Sequence, residues 1–312
     1  KEEEVSVPAN AVLTLELDGV LQERKTESPF AELQDLPEVM SLRQHVRAIE
    51  AAAKDDNIKG IYLDMGMSSG GAAAYKDLRE ALLTFKDSGK WVMAHGEIMT
   101  EKNFYLASAA DEIHLYPTGS VEWNGLAITQ YFLKRMFNKV GIEPQVFRVG
   151  KFKSFAEPFT RQGFSEPNRQ QYEAMLNELW GTMRDEIATS RDLSPQLLDS
   201  LAATLAVTMP EQALEHGLID GMKYGDEMQQ LLREKLEIGE DADINRIEVE
   251  KYAKTVQPDY SGEKLAVVYA SGGIAMGESE QGQSIGAASM VKTLRKVRKD
   301  ENVKAVVIRV NS

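Results

Sequence analysis

Cysteine is absent from this sequence of 312 residues, and histidine is scarce. The absence of cysteine excludes disulfides, thiol nucleophiles and thiolate metal sites. The four histidines are scattered, and none forms the i, i+4 pair of a zinc-binding helix. They are His45, His95, His114 and His216. We interpret each as a surface residue or a hydrogen-bonded one. A Gly-Lys-Ser/Thr phosphate loop is also missing, so neither a metal nor a cofactor is predicted.

Basic residues are outnumbered by acidic ones, 36 to 49, which gives a net charge of -13. Nucleic acid is therefore not a predicted partner, because phosphate binding needs clustered Lys and Arg. No apolar run approaches the roughly 18 residues of a membrane-spanning helix. The chain begins at Lys1 rather than at Met and stops at the end of an apolar strand pattern. We expect it to be a trimmed form of a longer protein.

The rest of the sequence has the composition of a globular protein and is long enough for two domains. Strand patterns occur at residues 11–17, 58–64, 91–94 and 113–116, the last ending at Pro117. They alternate with helix patterns, which predicts βαβ crossovers and an α/β class with a largely parallel sheet. Further on, the predictions are a helix at 127–140, a strand at 145–149, and helices across most of 165–235. Residues 236–258 are predicted to be a connector in which 246–249 has a strand pattern.

A unit of the sequence occurs twice. The strand pattern at 58–64 follows Lys-Asp-Asp-Asn at 54–57, and the one at 303–312 follows Lys-Asp-Glu-Asn at 299–302. The strand pattern at 265–270, followed by Gly272 and Gly273, corresponds to the one at 11–17. Strand, glycine turn, helix and strand recur in order, which indicates a duplication. We predict a first domain at 1–164, a helical extension and connector at 165–258, and the beginning of a second, incomplete domain at 259–312.

Two lysines lie in a short segment after the strand predicted at 145–149. Residues 148–154 are Arg-Val-Gly-Lys-Phe-Lys-Ser, which places Lys151 and Lys153 on one face of an extended chain. Most lysines are solvated surface residues, and that is the simpler interpretation. In the functional interpretation one lysine is buried as a neutral amine. Desolvation lowers the pKa of a buried lysine from about 10.4 toward neutrality, and the amine then accepts the proton of a serine hydroxyl.

The lysine segment, with Glu-Pro-Phe at 157–159, resembles that of the signal peptide peptidase A (protease IV) family. The closing strand at 306–312 resembles the family's strand that runs into a Pro-Gly-Gly-Ser turn, and residues 103–113 resemble its Tyr/Ala/Ser-rich helix and following strand. The resemblance covers essentially the whole chain, in the long form with tandem domains. It implies a ClpP/crotonase-like α/β fold and peptide hydrolysis by a Ser–Lys dyad.

The resemblance also implies roles for particular residues. Lys153, directly before the Ser of its segment, corresponds to the general base, and Lys151 is a neighbour without a catalytic role. Ser312 corresponds to the non-catalytic Ser before the Pro, so the nucleophile falls a few residues beyond it, with the backbone N–H groups of the oxyanion hole. Gly71 stands roughly where the first copy's nucleophile would fall, so that copy is degenerate. For Gly272 and Gly273, a substrate groove and a plain turn both remain open.

The function implied by the resemblance is degradation of cleaved signal peptides by a serine endopeptidase. The expected location is the bacterial inner membrane, with the soluble part facing the periplasm and the membrane segment absent from this chain. Family members form ring- or bowl-like oligomers, which implies a homotetramer. This chain alone is expected to be inactive. The alternative is an inactive scaffold or interaction domain of the same fold, and a crotonase-type acyl-CoA enzyme is a weaker third interpretation.

Overall fold

A computed structural model of the chain describes residues 5–23, 40–256, 262–279 and 284–312. The strands are β1 (Ala11–Val20), β2 (Ile58–Ser69), β3 (Trp91–Met99), β4 (Glu112–Val121), β5 (Gly221–Met222), β6 (Arg246–Glu248), β7 (Lys264–Ser271), β8 (Gly273–Ala275), β9 (Ser284–Gly286) and β10 (Val303–Asn311). The helices are α1 (Leu42–Ala52), α2 (Ala72–Lys86), α3 (Glu101–Ala107), α4 (Lys134–Val140), α5 (Glu157–Thr160), α6 (Glu166–Arg191), α7 (Pro195–Thr204), α8 (Pro210–Glu215), α9 (Gly225–Lys235), α10 (Val249–Ala253) and α11 (Ala287–Lys299).

The chain divides into two units. The first comprises Val7–Leu21 and Ala52–Val249, and the second comprises the described residues of Lys1–Ser6, Gln22–Ala51 and Glu250–Ser312. The first unit contains a six-stranded sheet in the order β5-β4-β3-β2-β1-β6. Each neighbouring pair of strands is parallel. The predicted α/β class with a parallel sheet is therefore confirmed.

Helices cover this sheet with apolar side chains, as a parallel sheet requires. One buried cluster joins the strands to α9, and consists of Val12, Tyr62, Met93, Met228, Leu232 and Leu236. Helix α3 contacts β2, β3 and β4, and α2 contacts β3. Leu78, Leu82 and Phe104 of these two helices are fully buried. Each such side chain stabilises the fold by about 1.5–3 kcal/mol.

The strand predicted at 113–116 does not end at Pro117. Strand β4 continues to Val121, and its register with β3 shifts between Gly96 and Ile98. A proline lacks a backbone donor, and an irregularity in the ladder is where a strand tolerates one. Gly119 permits the close approach here, because a Cβ atom on it would lie 2.3 Å from the carbonyl oxygen of Glu97. The prediction was wrong because the bulge depends on the neighbouring strand.

Two predictions between 127 and 149 were also wrong. The helix at 127–140 is only α4, because the N–H of Leu133 donates to the carbonyl of Pro158 at 2.7 Å instead of continuing a helix. Residues 145–149 form no strand, and Phe147 and Val149 are 95% and 92% exposed. An alternating apolar pattern forms a strand only with a partner to pair with. In the described part of the chain this segment has no such partner strand.

The helices predicted across 165–235 are confirmed, with the breaks before Pro195 and Pro210. The strand predicted at 246–249, within the segment 236–258, is confirmed as β6. It pairs with β1 through Ile247, opposite Leu13, and Ile247 is 5% exposed. Residues 246–248 therefore form an edge of the sheet. A three-residue strand gives too short a pattern to reveal its pairing from sequence.

The second unit repeats the strand arrangement at the start of the first. Strands β7 and β10 are parallel neighbours, as β1 and β2 are, and β8 pairs with β9. The turns before β2 and β10 are the same. The carboxylate of Asp55 accepts from the N–H of Asn57 at 3.0 Å, and that of Asp300 accepts from the N–H of Asn302 at 3.0 Å. In both copies this asparagine's carbonyl then bonds the first residue of the neighbouring strand. The predicted duplication is confirmed.

The buried imidazole of His95 predicts a pH dependence of stability. Its Nε2 lies 3.0 Å from the carbonyl oxygen of Lys223, which can only accept, so Nε2 carries the hydrogen. Its Nδ1 then accepts from the hydroxyl of Tyr62 at 3.0 Å. Burial lowers the pKa of His95 below 6.5 and outweighs the Lys223 bond and the charge of Asp64, which raise it.

Because the folded state binds fewer protons at His95 than the unfolded chain does, the contribution of neutral His95 to stability is fully present above about pH 6.5. This contribution is lost as the pH drops through the folded pKa. Between pH 7.5 and 5.5, we expect the free energy of unfolding of the wild type to fall by about 1 kcal/mol more than that of His95→Gln, as measured by urea unfolding. His45, whose pKa burial also lowers, stays in both proteins, so the difference isolates His95. An unchanged pH slope in His95→Gln would contradict the assignment.

Candidate active site

The lysine segment is an exposed turn between α4 and α5. Gly150 has φ +107°, a conformation that favours glycine, and the N–H of Lys153 returns to its carbonyl at 3.5 Å. The amine of Lys151 lies 5.2 Å from the centre of the Phe152 ring. Both lysines are exposed. The burial expected of a neutral amine is therefore not observed among the described residues.

Two side chains hold the main chain of this turn. A guanidinium N–H of Arg148 donates to the carbonyl of Lys153 at 2.9 Å. The side-chain amide of Gln171, on α6, donates to the carbonyl of Phe152 at 3.2 Å. The carbonyls of Phe152 and Lys153 are thus held by one residue that precedes the turn in sequence and one that follows it. This restricts the backbone from which Lys153 projects. Neither hydrogen bond is predictable from the sequence, apart from the presence of Arg148 in the family-like segment.

A buried carboxylate lies at the start of α5. Glu157 is 2% exposed and accepts from the N–H of Ser165 at 3.0 Å, the Ser165 hydroxyl at 2.5 Å and the Asn168 amide at 3.2 Å. Burial opposes its ionisation, but these hydrogen bonds outweigh burial and lower the pKa of Glu157. It is therefore an anion at neutral pH. The sequence pattern predicts no role for Glu157, because its burial arises only from the packing of α5 on α6.

Gly71, in the turn after β2, has no side chain and therefore cannot serve as a nucleophile. This glycine is the residue before α2. The hydroxyl of Ser68 donates to the Oδ1 of Asn103 at 2.8 Å and lies 2.8 Å from the hydroxyl of Tyr75. Asn103 is fully buried. This hydrogen-bond network joins β2, α2 and α3, and we assign it a structural role.

The glycine turn and the closing strand that were predicted for the second unit are both present. Gly272 has φ +97°, so a turn requires glycine there, and Gly273 begins β8. Ser312 directly follows β10, the strand that corresponds to β2. Lys153 belongs to the first unit and Ser312 to the second. The expected base and the expected lead-in to the nucleophile thus come from different units.

The family model of peptidase family S49 matches residues 84–239, half of the chain, including the lysine segment. The chain belongs to peptidase family S49. Protease 4 of Haemophilus influenzae is 32% identical over 98% of this chain and 53% of its own length. Serine protease SPPA, chloroplastic, of Arabidopsis thaliana is 28% identical over 98% of this chain and 45% of its own length. The chain spans about half the length of these curated S49 relatives.

A solved structure, an alanine mutant of the 1510-N membrane-bound stomatin-specific protease, is also similar. It has a TM-score of 0.44 and 13% identity, and the match covers 81% of this chain and 100% of that one. The family model confirms the predicted family, and the parallel sheet confirms the α/β part of the predicted fold class. Among the described residues, no helix of this S49 chain is both long enough and apolar enough to cross a membrane.

Proposed function

We propose that this chain is the lysine-bearing part of a serine endopeptidase that works by a Ser–Lys dyad, with Lys153 as general base. The observation that carries the proposal is the placement of Lys153. In a chain of peptidase family S49, it projects freely from a turn whose main chain is held by Arg148 and Gln171. Its amine is open to an approaching hydroxyl, whereas the amine of Lys151 lies beside an aromatic ring.

The proposed nucleophile is a serine a few residues beyond Ser312, in a turn that also supplies the oxyanion hole. Burial of Lys153 as a neutral amine then depends on groups that this chain does not contain. The proposed domain division, with boundaries at 164 and 258, gives the base to the first domain and the nucleophile to the second. Neither the base nor the nucleophile can act without the other, so this chain alone is inactive in the proposal.

The proposed substrates are cleaved signal peptides, which are apolar and extended. An extended peptide is recognised most simply by pairing with a strand, and β8 is a fully exposed strand beside Gly272. We therefore propose that Gly272 and Gly273 line the substrate groove. The proposal also includes a homotetramer at the bacterial inner membrane, with this part facing the periplasm.

A second function, an inactive scaffold or interaction domain, is favoured by one observation. Lys153 is exposed here, as an ordinary surface lysine is. In this alternative the lysine contributes only charge and no serine is activated. The two functions differ in whether the full natural protein contains a reactive serine.

The test is to treat the full natural protein with a fluorophosphonate probe and to map the labelled residue by mass spectrometry. The probe phosphonylates activated serines, because the serine oxygen displaces fluoride from phosphorus. We expect one labelled serine C-terminal to Ser312, together with hydrolysis of an apolar signal-type peptide. Denatured protein is the control, because an ordinary serine hydroxyl does not react. No labelling and no hydrolysis would support the scaffold, and labelling of Ser312 itself would refute the assignment of the nucleophile.

A further inference from the structure

Arg148 lies directly beside the anion of Glu157, and the charge of Arg161 also lowers the pKa of this carboxyl. A guanidinium nitrogen of Arg148 lies 3.6 Å from its Oε1, and the same nitrogen donates to the carbonyl of Lys153. Arg148 thus links a buried carboxylate to the main chain of the proposed base. Glu157 itself is fixed by Ser165, the residue that caps α6.

Stability alone does not account for this arrangement. Arg148 is 44% exposed, and an ion pair with a partner in solvent contributes little to folding. The buried carboxylate already has three hydrogen bonds without the arginine. What the arginine adds is its bond to the carbonyl of Lys153, which sets the direction of the backbone that carries the amine.

We propose that Arg148 and Glu157 are positioning residues, which hold the backbone of Lys153 so that its amine faces the serine. This inference rests on the proposed function. Proton transfer needs a base within hydrogen-bond reach of the hydroxyl, and an error of about 1 Å costs up to about 100-fold in rate. A guanidinium suits the task, because one of its nitrogens donates to the carbonyl of Lys153 while its permanent charge pairs with Glu157.

The test compares Arg148→Ala and Arg148→Lys with Arg135→Ala as a control. Arg135 is an exposed arginine of α4, and its guanidinium donates to the side-chain oxygen of Gln162 at 3.0 Å. In the full natural protein we expect Arg148→Ala to lower kcat by about 10- to 100-fold with KM nearly unchanged. Arg148→Lys keeps the charge and one bond, and is expected to recover about half of that loss on a logarithmic scale. Arg135→Ala is expected to keep wild-type kinetics.

A second measurement reports on the turn without catalysis. Amide exchange at Lys153 and Ser154 is expected to become about tenfold faster in Arg148→Ala and in Glu157→Gln, with α4 unchanged. If Lys153→Ala is inactive while Arg148→Ala keeps wild-type kcat and wild-type amide exchange, the positioning role alone is overturned. A fully active Lys153→Ala would overturn the dyad and the positioning role together. An equal urea midpoint for Arg148→Ala and wild type shows that its kinetic loss is not misfolding.

Discussion

Lys153→Ala is expected to lower kcat for peptide hydrolysis by the full natural protein by roughly 10³-fold, with KM nearly unchanged. The amine contributes to the transition state by accepting the serine's proton, and alanine leaves the hydroxyl without a base. Lys153→Arg is expected to lose as much, because a guanidinium keeps the positive charge but cannot be deprotonated. The pair of variants therefore separates a base from a mere charge. Steady-state kinetics with an apolar peptide measures both.

Lys151→Ala is the matched control. Lys151 lies two residues away in the same exposed turn and its amine stacks on the neighbouring Phe152, so its loss is expected to change kcat by less than about twofold. Equal losses in the two alanine variants would show that the turn needs charge in general. Full activity in Lys153→Ala would remove the general-base assignment.

Arg79→Met is expected to lower the free energy of unfolding by about 3–5 kcal/mol. Arg79 is 3% exposed and donates to the carbonyls of Tyr105 and Glu186 and to the hydroxyl of Ser190. Its guanidinium also lies 3.8 Å from the carboxylate of Glu186. Methionine fills similar space but leaves the two carbonyls without this donor and the Glu186 carboxylate without this positive charge, where α2, α3 and α6 meet. Guanidinium denaturation of this chain measures the change.

Arg169→Met is the control for that experiment. Arg169 lies on α6, the helix that carries the Glu186 and Ser190 partners of Arg79, but its ion pair with Glu173 is 3.9 Å long and more than half exposed on both sides. We expect a change below about 0.5 kcal/mol. A loss at Arg79 as small as at Arg169 would mean that the buried hydrogen bonds of Arg79 contribute nothing net.

The sequence predicted the regular parts of the fold, because their signals are local. Alternating apolar residues indicated β1 to β4, and the Ser-Pro and Met-Pro pairs indicated where α7 and α8 begin. The duplication could be predicted because the same Asp–Asn turn is written twice in the sequence. Pattern was misleading where pairing decides structure. The strand predicted at 145–149 has no partner among the described residues. The strand predicted at 246–249 is present as β6, but its pairing with β1 was not predictable from its short pattern.

The candidate site was predicted only as far as residue identity. Lys153 was selected by resemblance, and its placement in a turn of an S49 chain agrees with that choice without testing its role. The surrounding contacts were not predictable, because Glu157 acquires its partners Ser165 and Asn168 only when α5 folds against α6. A buried acid and a surface acid look alike in a sequence. Their difference is produced by tertiary packing.

The pairing of β6 with β1 has a consequence for folding during synthesis. The side chain of Asn245 donates to the carbonyl of Ala9, 236 residues earlier, next to the point where these strands meet. While a ribosome is still making helices α6 to α9, β1 is complete and one of its edges is unpaired. Contacts this distant in sequence form late and slowly. The apolar strand β1 of the nascent chain must therefore avoid pairing with the edges of other sheets until nearly four-fifths of these 312 residues have been synthesised.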